Sequence, residues 1–368
     1  MDKTIKKNLL SYLHFSSDEL YQFFPPIFYC QNKKWVAKQI LEKEIKNKEE
    51  LIFSKWSLLS LPKTCELTEV EIEMREDIFE YEPPQENETA WYPNYAAKEL
   101  FGYYSGSLLA QDELQVLEHP ILGSLRDCLT EVSKTVDNSE PTTGQGSQST
   151  PVLIMNAERR CHLSVEPNVK EGRPQGIYGN RFARASKEVV KRALTILDPP
   201  TFSNIYAIEA PKYGSGNYTL SQIYNLFGQC YTVYTAAKIQ STMPKLKNNS
   251  QIRFNDKEDF NFLDKEETIE LNPREQTVTI HLGHWGSGAY GGNKVMITII
   301  QLLASYTAGV DKIVYHTFDH IGTRAFKIGL KKFQNLIEKH AEENQISISS
   351  FMFAIENLKL KWGHSDGN

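Results

Sequence analysis

The stretch TVTIHLGHWGSGAYGGNKVMITIIQLLASYTAGVDKIVYHTF (residues 277–318) decides the fold. TVTIHLG (277–283) reads as a strand, HWGSGAYGG as a glycine turn, NKVMITIIQLLASY as a helix and DKIVYHTF (311–318) as a second strand. Strand, helix and strand in that order join parallel strands, so the chain is α/β, with a largely parallel sheet covered by helices. The same alternation extends backwards. PVLIM (151–155) is a short buried strand, KEVVKRALTIL (187–197) a helix, SNIYAIEAP (203–211) a strand, and LSQIYNLFGQCYTVYTAAKI a long helix. In CELTEVEIEMREDIFEYE, Leu67, Val70, Ile72 and Met74 nearly share one face, which predicts a strand or hairpin arm.

Residues 1–60 have apolar positions such as Leu9, Leu10, Leu13, Val36 and Ile40 at three-to-five spacing, which predicts an N-terminal helical annex. Residues 61–340 read as the main α/β domain. Two polar insertions interrupt it, near 131–150 (EVSKTVDNSEPTTGQGSQST) and 241–275, and the first reads as exposed and mobile. A C-terminal helix and tail occupy 341–368.

The chain has 368 residues, 40% of them hydrophobic and 24% charged, with a net charge of -5. That balance excludes collagen-like, disordered and strongly basic nucleic-acid-coating classes. Five scattered cysteines without a CxxC pair fit a reducing compartment, either cytoplasmic or a host cytosol reached by secretion, and give no structural zinc site. Neither a signal peptide nor a membrane span is legible, since the longest apolar run, VMITIIQLLA, has ten residues.

Gly283, Gly286, Gly288, Gly291 and Gly292 fall between a strand and a helix, where the backbone can turn tightly and meet an anion at a helix N-terminus. GSGAYG also satisfies the G-x-G-x-x-G spacing of a dinucleotide turn, with Asp319 after the next strand, so a nicotinamide-dependent oxidoreductase is one reading. Against it, the turn lies near the C-terminus and Asp319 comes later than the usual ~20 residues. No Walker loop, HExxH helix or GxSxG elbow is present. Further upstream, a small-residue loop from Gly102 to Gly106 precedes a helix bearing Gln111, Asp112 and Glu113. Adjacent acids on a helix point about 100° apart, so only one can face a given cleft squarely.

Together, the loop leading into Gln-Asp-Glu and the later HWGSGAYGG and VYHTFD resemble the poly(ADP-ribose) glycohydrolase family. That family has a macrodomain core, a GGG loop followed by QEE, and an NWGCGAFGG diphosphate loop followed by TFGD. The resemblance runs in order over about residues 65–335 and implies a three-layer α/β/α macrodomain that binds ADP-ribose. It implies Glu113 as the catalytic acid, with Asp112 beside it and Gln111 at the Gln position. It places Gly286, Ser287, Gly288, Ala289, Tyr290 and Gly291 on the diphosphate loop. Phe318 falls where the family presents an aromatic to the adenosine, with Asp319 next to it, and Tyr178 falls at the clasp tyrosine. The chain departs from the pattern in the GGG loop, which reads Phe101, Gly102 and Tyr103, in Ala97 and Asp112, and in TFDH for TFGD.

The activity implied is cleavage of the C1'' glycosidic bond of ADP-ribose attached to protein or in poly(ADP-ribose), with no cofactor and no metal. In such a step, a carboxylic acid helps the leaving group depart and water is activated. Mono-ADP-ribosyl linkages, including arginine, are a second version, and the altered GGG loop favours it. Bacterial effectors resembling the family act on ADP-ribosylated host proteins, ubiquitin among them. A non-catalytic ADP-ribose reader is the alternative of a different class. Nucleic acid and membrane partners are not expected.

Overall fold

The computed structural model describes residues 7–42, 49–146, 148–211, 214–242, 249–265 and 276–365. A ten-stranded sheet organises them. Its strands are β1 (Leu9–Ser16), β2 (Glu50–Trp56), β3 (Glu71–Arg75), β4 (Glu88–Ala96), β5 (Val152–Leu163), β6 (Leu194–Glu209), β7 (Asn249–Phe254), β8 (Phe260–Lys265), β9 (Thr277–Gly283) and β10 (Lys312–His316). They lie in the order β8-β7-β1-β2-β5-β6-β4-β9-β10-β3. From β6 to β3 every pairing is parallel. The pairings of β2 with β1 and β5, of β5 with β6 and of β7 with β8 are antiparallel, so the sheet is mixed.

Helices cover both faces. On one side α6 (Leu220–Thr242), α7 (Lys294–Ala308), α8 (His320–His340) and α9 (Ile348–Asn357) share a single core with the parallel strands. On the other lie α1 (Ser17–Phe23), α2 (Gln31–Leu41), α3 (Gln111–Glu118) and α4 (Ile121–Val132), and α5 (Lys187–Ala193) also packs into this second core. Coverage of both faces explains why β9 is buried along its whole length after Thr277 and reads as a nearly continuous apolar run. Helix α7 is enclosed in the same way, with Met296 to Ser305 all buried, as a helix that is apolar all round must be. Its limits are set locally. The Asn293 side chain accepts from the amides of Val295 and Met296, and Gly309 closes the helix in the left-handed conformation at φ 64°.

The structure corrects four local expectations. Residues 1–60 are not wholly helical, because LLSYLHFS and ELIFSKW form strands β1 and β2 inside the sheet, with Leu13 opposite Phe53. The leucine spacing suits a helix, but both faces of this segment are covered, and tertiary packing overrides so short a periodicity. Among the described residues there, Ser17–Phe23 and Gln31–Leu41 are the longer helical pieces. Helix α5 ends at Ala193, and Leu194 onwards joins β6.

The polar segment 131–150 is seated on the fold rather than loose. Ser139, Thr143 and Thr150 are buried, the Leu100 amide donates to Pro141 O at 2.9 Å, and the buried Lys55 ammonium donates to Glu140 O at 3.0 Å. Hydrogen bonds anchor it together with Val132 and Val136 at its start, which pack into the second core, so its polar composition gave little sign of the contact. Within 241–275, β7 and β8 extend the sheet, while 243–248 and 266–275 lie outside the described residues.

Candidate functional site

Strands β3, β4, β9 and β10 are parallel, and a cleft of about 720 Å³ opens beyond their carboxyl ends, lined by Asp77, Tyr95, Gly283 and His316 among others. Open α/β sheets hold ligands at this edge, because loops from several strands converge there.

The glycine turn forms one wall, with Ser287 and Gly288 lining the cleft. Gly286 and Gly291 have φ of 63° and 68°, conformations that glycine adopts freely. Within the turn, the Ser287 amide donates to His284 O, Gly291 to Gly288 O and Gly292 to Gly286 O. Among the described residues, the amides of Gly286, Gly288 and Ala289 donate to no partner. The first amides of α7 are capped by Asn293, so the loop rather than the helix terminus offers the free donors. Gly291 and Gly292 are buried under the C-terminal tail, where the Gly363 amide donates to Gly291 O at 2.8 Å. Ala289 and Tyr290 are half-buried and lie off the cleft wall. A Cβ on Gly286 would stand 2.4 Å from Pro211 Cδ, at a positive φ. Gly286→Ala is therefore expected to displace the loop, with a stability loss of about 1–3 kcal/mol recorded by thermal unfolding.

Phe318 and Tyr178 approach each other at the cleft, their ring centroids 5.9 Å apart and tilted at 55°. Phe318 is 56% exposed, a large aromatic face left to solvent. Asp319 also lines the cleft, but its Oδ1 accepts from the Gly322 amide at 2.7 Å, so it caps α8. That carboxylate has a structural partner, which weakens its candidacy as the ribose acid of a nicotinamide site.

The carboxylate pair is placed differently. Gln111 and Leu114 stand on the cleft wall, while Asp112 and Glu113 do not. At about 100° per residue, a helix that turns positions 111 and 114 to the cleft turns 112 and 113 away. Gln111 braces the end of β4, accepting from the Tyr95 amide at 3.0 Å and donating to Pro93 O at 2.8 Å. Asp112 Oδ1 accepts from Asn94 Nδ2 at 2.8 Å. Glu113 is buried, and its Oε2 accepts from the Ala110 amide at 2.9 Å. Burial raises both carboxyls, Asp112 to about 6 and Glu113 to about 7. For Glu113 the neighbouring Asp112 charge adds to the effect, and Lys33 opposes it for both. Phe101, at the first position of the former GGG, is buried at φ 52°, a backbone that glycine would adopt without strain.

Three cleft residues escaped the sequence. Lys294 and Arg181 bring positive charge to the wall. His284, where the family motif has Asn, lines the cleft and holds Tyr315 OH at 3.2 Å. Burial lowers its pKa to about 4, so the ring is neutral. Lys294 opens α7 directly after the glycines and was legible in principle, whereas Arg181 reaches the cleft only through the path of residues 179–184. Among the described residues, no cluster could hold a metal and no helix is long and apolar enough to cross a membrane. All five cysteines are free.

Residues 201–325 match the family model for poly(ADP-ribose) glycohydrolase, macro domain fold. This part runs from within β6 into α8 and contains the glycine turn, Phe318 and Asp319, so the chain carries a macro domain similar to that family. Among solved structures, the chain is similar to Deinococcus radiodurans poly(ADP-ribose) glycohydrolase in complex with ADP-ribose. In one crystal form it has 11% identity and a TM-score of 0.40, over 89% of this chain and 95% of that one. In another it has 10% identity and a TM-score of 0.38, over 88% and 94%. No curated protein matches by sequence.

Proposed function

We propose that this chain, through its poly(ADP-ribose) glycohydrolase-like macro domain, is a hydrolase that cleaves the C1'' glycosidic bond of ADP-ribose attached to protein. The observation that carries the reading is the glycine turn, whose partnerless Gly288 amide belongs to the same cleft wall as Lys294, with the partnerless Gly286 and Ala289 amides close by in the chain. Amides and an ammonium gathered in this way suit a diphosphate. Phe318 and Tyr178 offer ring faces to the adenosine. Phe318→Ala is expected to weaken ADP-ribose binding roughly 10-fold, since base–aromatic stacking contributes about 1–3 kcal/mol.

In this reading Glu113 is the acid. Its buried carboxyl keeps a proton near neutral pH and lends it to the leaving group, while water attacks C1''. Glu113 is buried and off the cleft wall that Gln111 lines, so this reading requires the distal ribose to reach past Gln111. The loop at 101–110 keeps only Gly102 of the family's three glycines, which favours mono-ADP-ribosyl protein, arginine-linked included, over the polymer. An ADP-ribosylated host protein such as ubiquitin is a fitting acceptor, and a reducing cytosol suits the five free thiols.

Incubation with poly(ADP-ribose), a mono-ADP-ribosyl-arginine protein and a mono-ADP-ribosyl-glutamate protein, with free ADP-ribose followed by mass spectrometry, tests the reading and identifies the linkage. One observation favours a second reading, a non-catalytic ADP-ribose reader: neither Asp112 nor Glu113 is on the cleft wall. Tight ADP-ribose binding with no release from any substrate would establish it.

A further inference from the structure

The segment before α2 and the helix itself grip the loop that leads to the carboxylate pair. The amides of Tyr29 and Cys30 donate to Ser105 O at 2.8 and 3.3 Å, and the Ile27 amide donates to Tyr104 OH at 3.0 Å. Phe28 packs edge-on against the Tyr104 ring, with centroids 5.3 Å apart. Deeper still, Lys33 is fully buried, and its ammonium donates to Tyr104 O at 2.8 Å and to Leu108 O at 2.6 Å. Two neutral carbonyls do not balance a buried charge. The ammonium reaches the start of α3 through Leu108 O, two residues before the Ala110 amide that Glu113 Oε2 accepts from, and the titratable groups whose charge acts on it are Glu113, the Cys30 thiol at the start of its own helix, and Asp112. Asp112 also feels Arg126 of α4, whose guanidinium is paired with Asp127.

One ammonium and two carboxyls with little water around them favour the neutral combination, in which one carboxyl is ionised and the other holds a proton. Each carboxyl accepts one hydrogen bond, Asp112 from Asn94 and Glu113 from the Ala110 amide, but burial and the Asp112 charge both raise Glu113, so Glu113 is left with the proton. We propose that Lys33 is a positioning residue for the glycosidic step, tying residues 104–108 to α2 and balancing one charge so that the Asp112–Glu113 pair keeps a single proton. This rests on the hydrolase reading, and it gives part of the N-terminal segment a function beyond covering the sheet.

The test compares pH profiles of kcat/KM for wild type, Lys33→Met, Lys33→Gln and Lys33→Arg on whichever substrate the wild type cleaves. A general acid works while protonated, so activity falls as pH rises through its pKa. Without the cation, the carboxylate form is less favoured and that pKa rises. Both neutral variants should therefore move the alkaline limb up by roughly one pH unit, and Lys33→Arg should leave it in place. A limb that stays put in both neutral variants would reduce Lys33 to packing and overturn the proposal.

A measurement on the wild type needs no variant to fold. Carboxyl-carbon NMR at pH 6 should find one protonated carboxyl in the pair, and two ionised carboxyls would overturn the charge balance. Absence of turnover on every substrate would refute the hydrolase reading, while the NMR result would still decide the charge state that Lys33 maintains.

Discussion

Glu113→Gln should reduce ADP-ribose release by ~10²–10⁴-fold while leaving ADP-ribose affinity within about threefold of wild type. The substitution is mild structurally, since a glutamine oxygen can still accept from the Ala110 amide that now meets Glu113 Oε2. It removes only the transferable proton, which burial and the Asp112 charge hold on this side chain up to a pH of about 7. Affinity should persist because Ser287 and Gly288 of the glycine turn, Lys294, Tyr178 and Phe318 line the cleft and Glu113 does not. The measurement is a single-turnover time course with a parallel calorimetric titration. If turnover survives, Glu113 loses the role, and the acids that do line the cleft, Glu76, Asp77, Glu80, Glu166 and Asp319, become the ones to examine.

The largest effect on stability is expected from Arg159→Met. Arg159 and Glu118 are both buried, with Nε 2.9 Å and Nη2 2.8 Å from Glu118 Oε2. The other Glu118 oxygen accepts from the Leu163 amide at 2.7 Å, so the pair joins α3 to β5. Arg159 also lies 4.9 Å over the ring of Tyr81, which lines the cleft. Removing the guanidinium leaves a buried carboxylate without its cation, a loss of about 3–5 kcal/mol. Thermal or denaturant unfolding should record it, and Arg159→Met combined with Glu118→Leu should recover much of the loss, because a paired apolar replacement leaves no orphaned charge. A single variant within about 1 kcal/mol of wild type would contradict the assignment.

What the sequence disclosed and what it hid follow from the range of the interactions. The strand, glycine turn and helix of 277–308 are set by neighbours a few residues apart, and so are their caps at Asn293 and Gly309. The pairing of β1 with β2 spans about forty residues, and LLSYLHFS carries leucines at a spacing that suits either state. Residues 131–150 look like solvent-exposed chain until Lys55 and the 97–100 backbone supply their partners. The candidate site divides in the same way. Phe318, Tyr178, Ser287 and Gly288 line one cleft, whereas the direction in which Glu113 points depends on how α3 is rotated against β4, which Gln111 and Gln115 fix by hydrogen bonds to Pro93 O. Lys33 was a lysine among several in a charged helix, and only its burial beneath the 104–108 carbonyls distinguishes it.

Glycosidic cleavage is recorded by the position of the oxygen that water delivers. Wild-type protein is incubated with mono-ADP-ribosyl-arginine protein in heavy-oxygen water, quenched early and analysed by mass spectrometry beside free ADP-ribose kept in the same water. The account expects ADP-ribose to be released with the label at C1'' in excess of that exchange control. Substrate that remains intact while ADP-ribose binds tightly would contradict it.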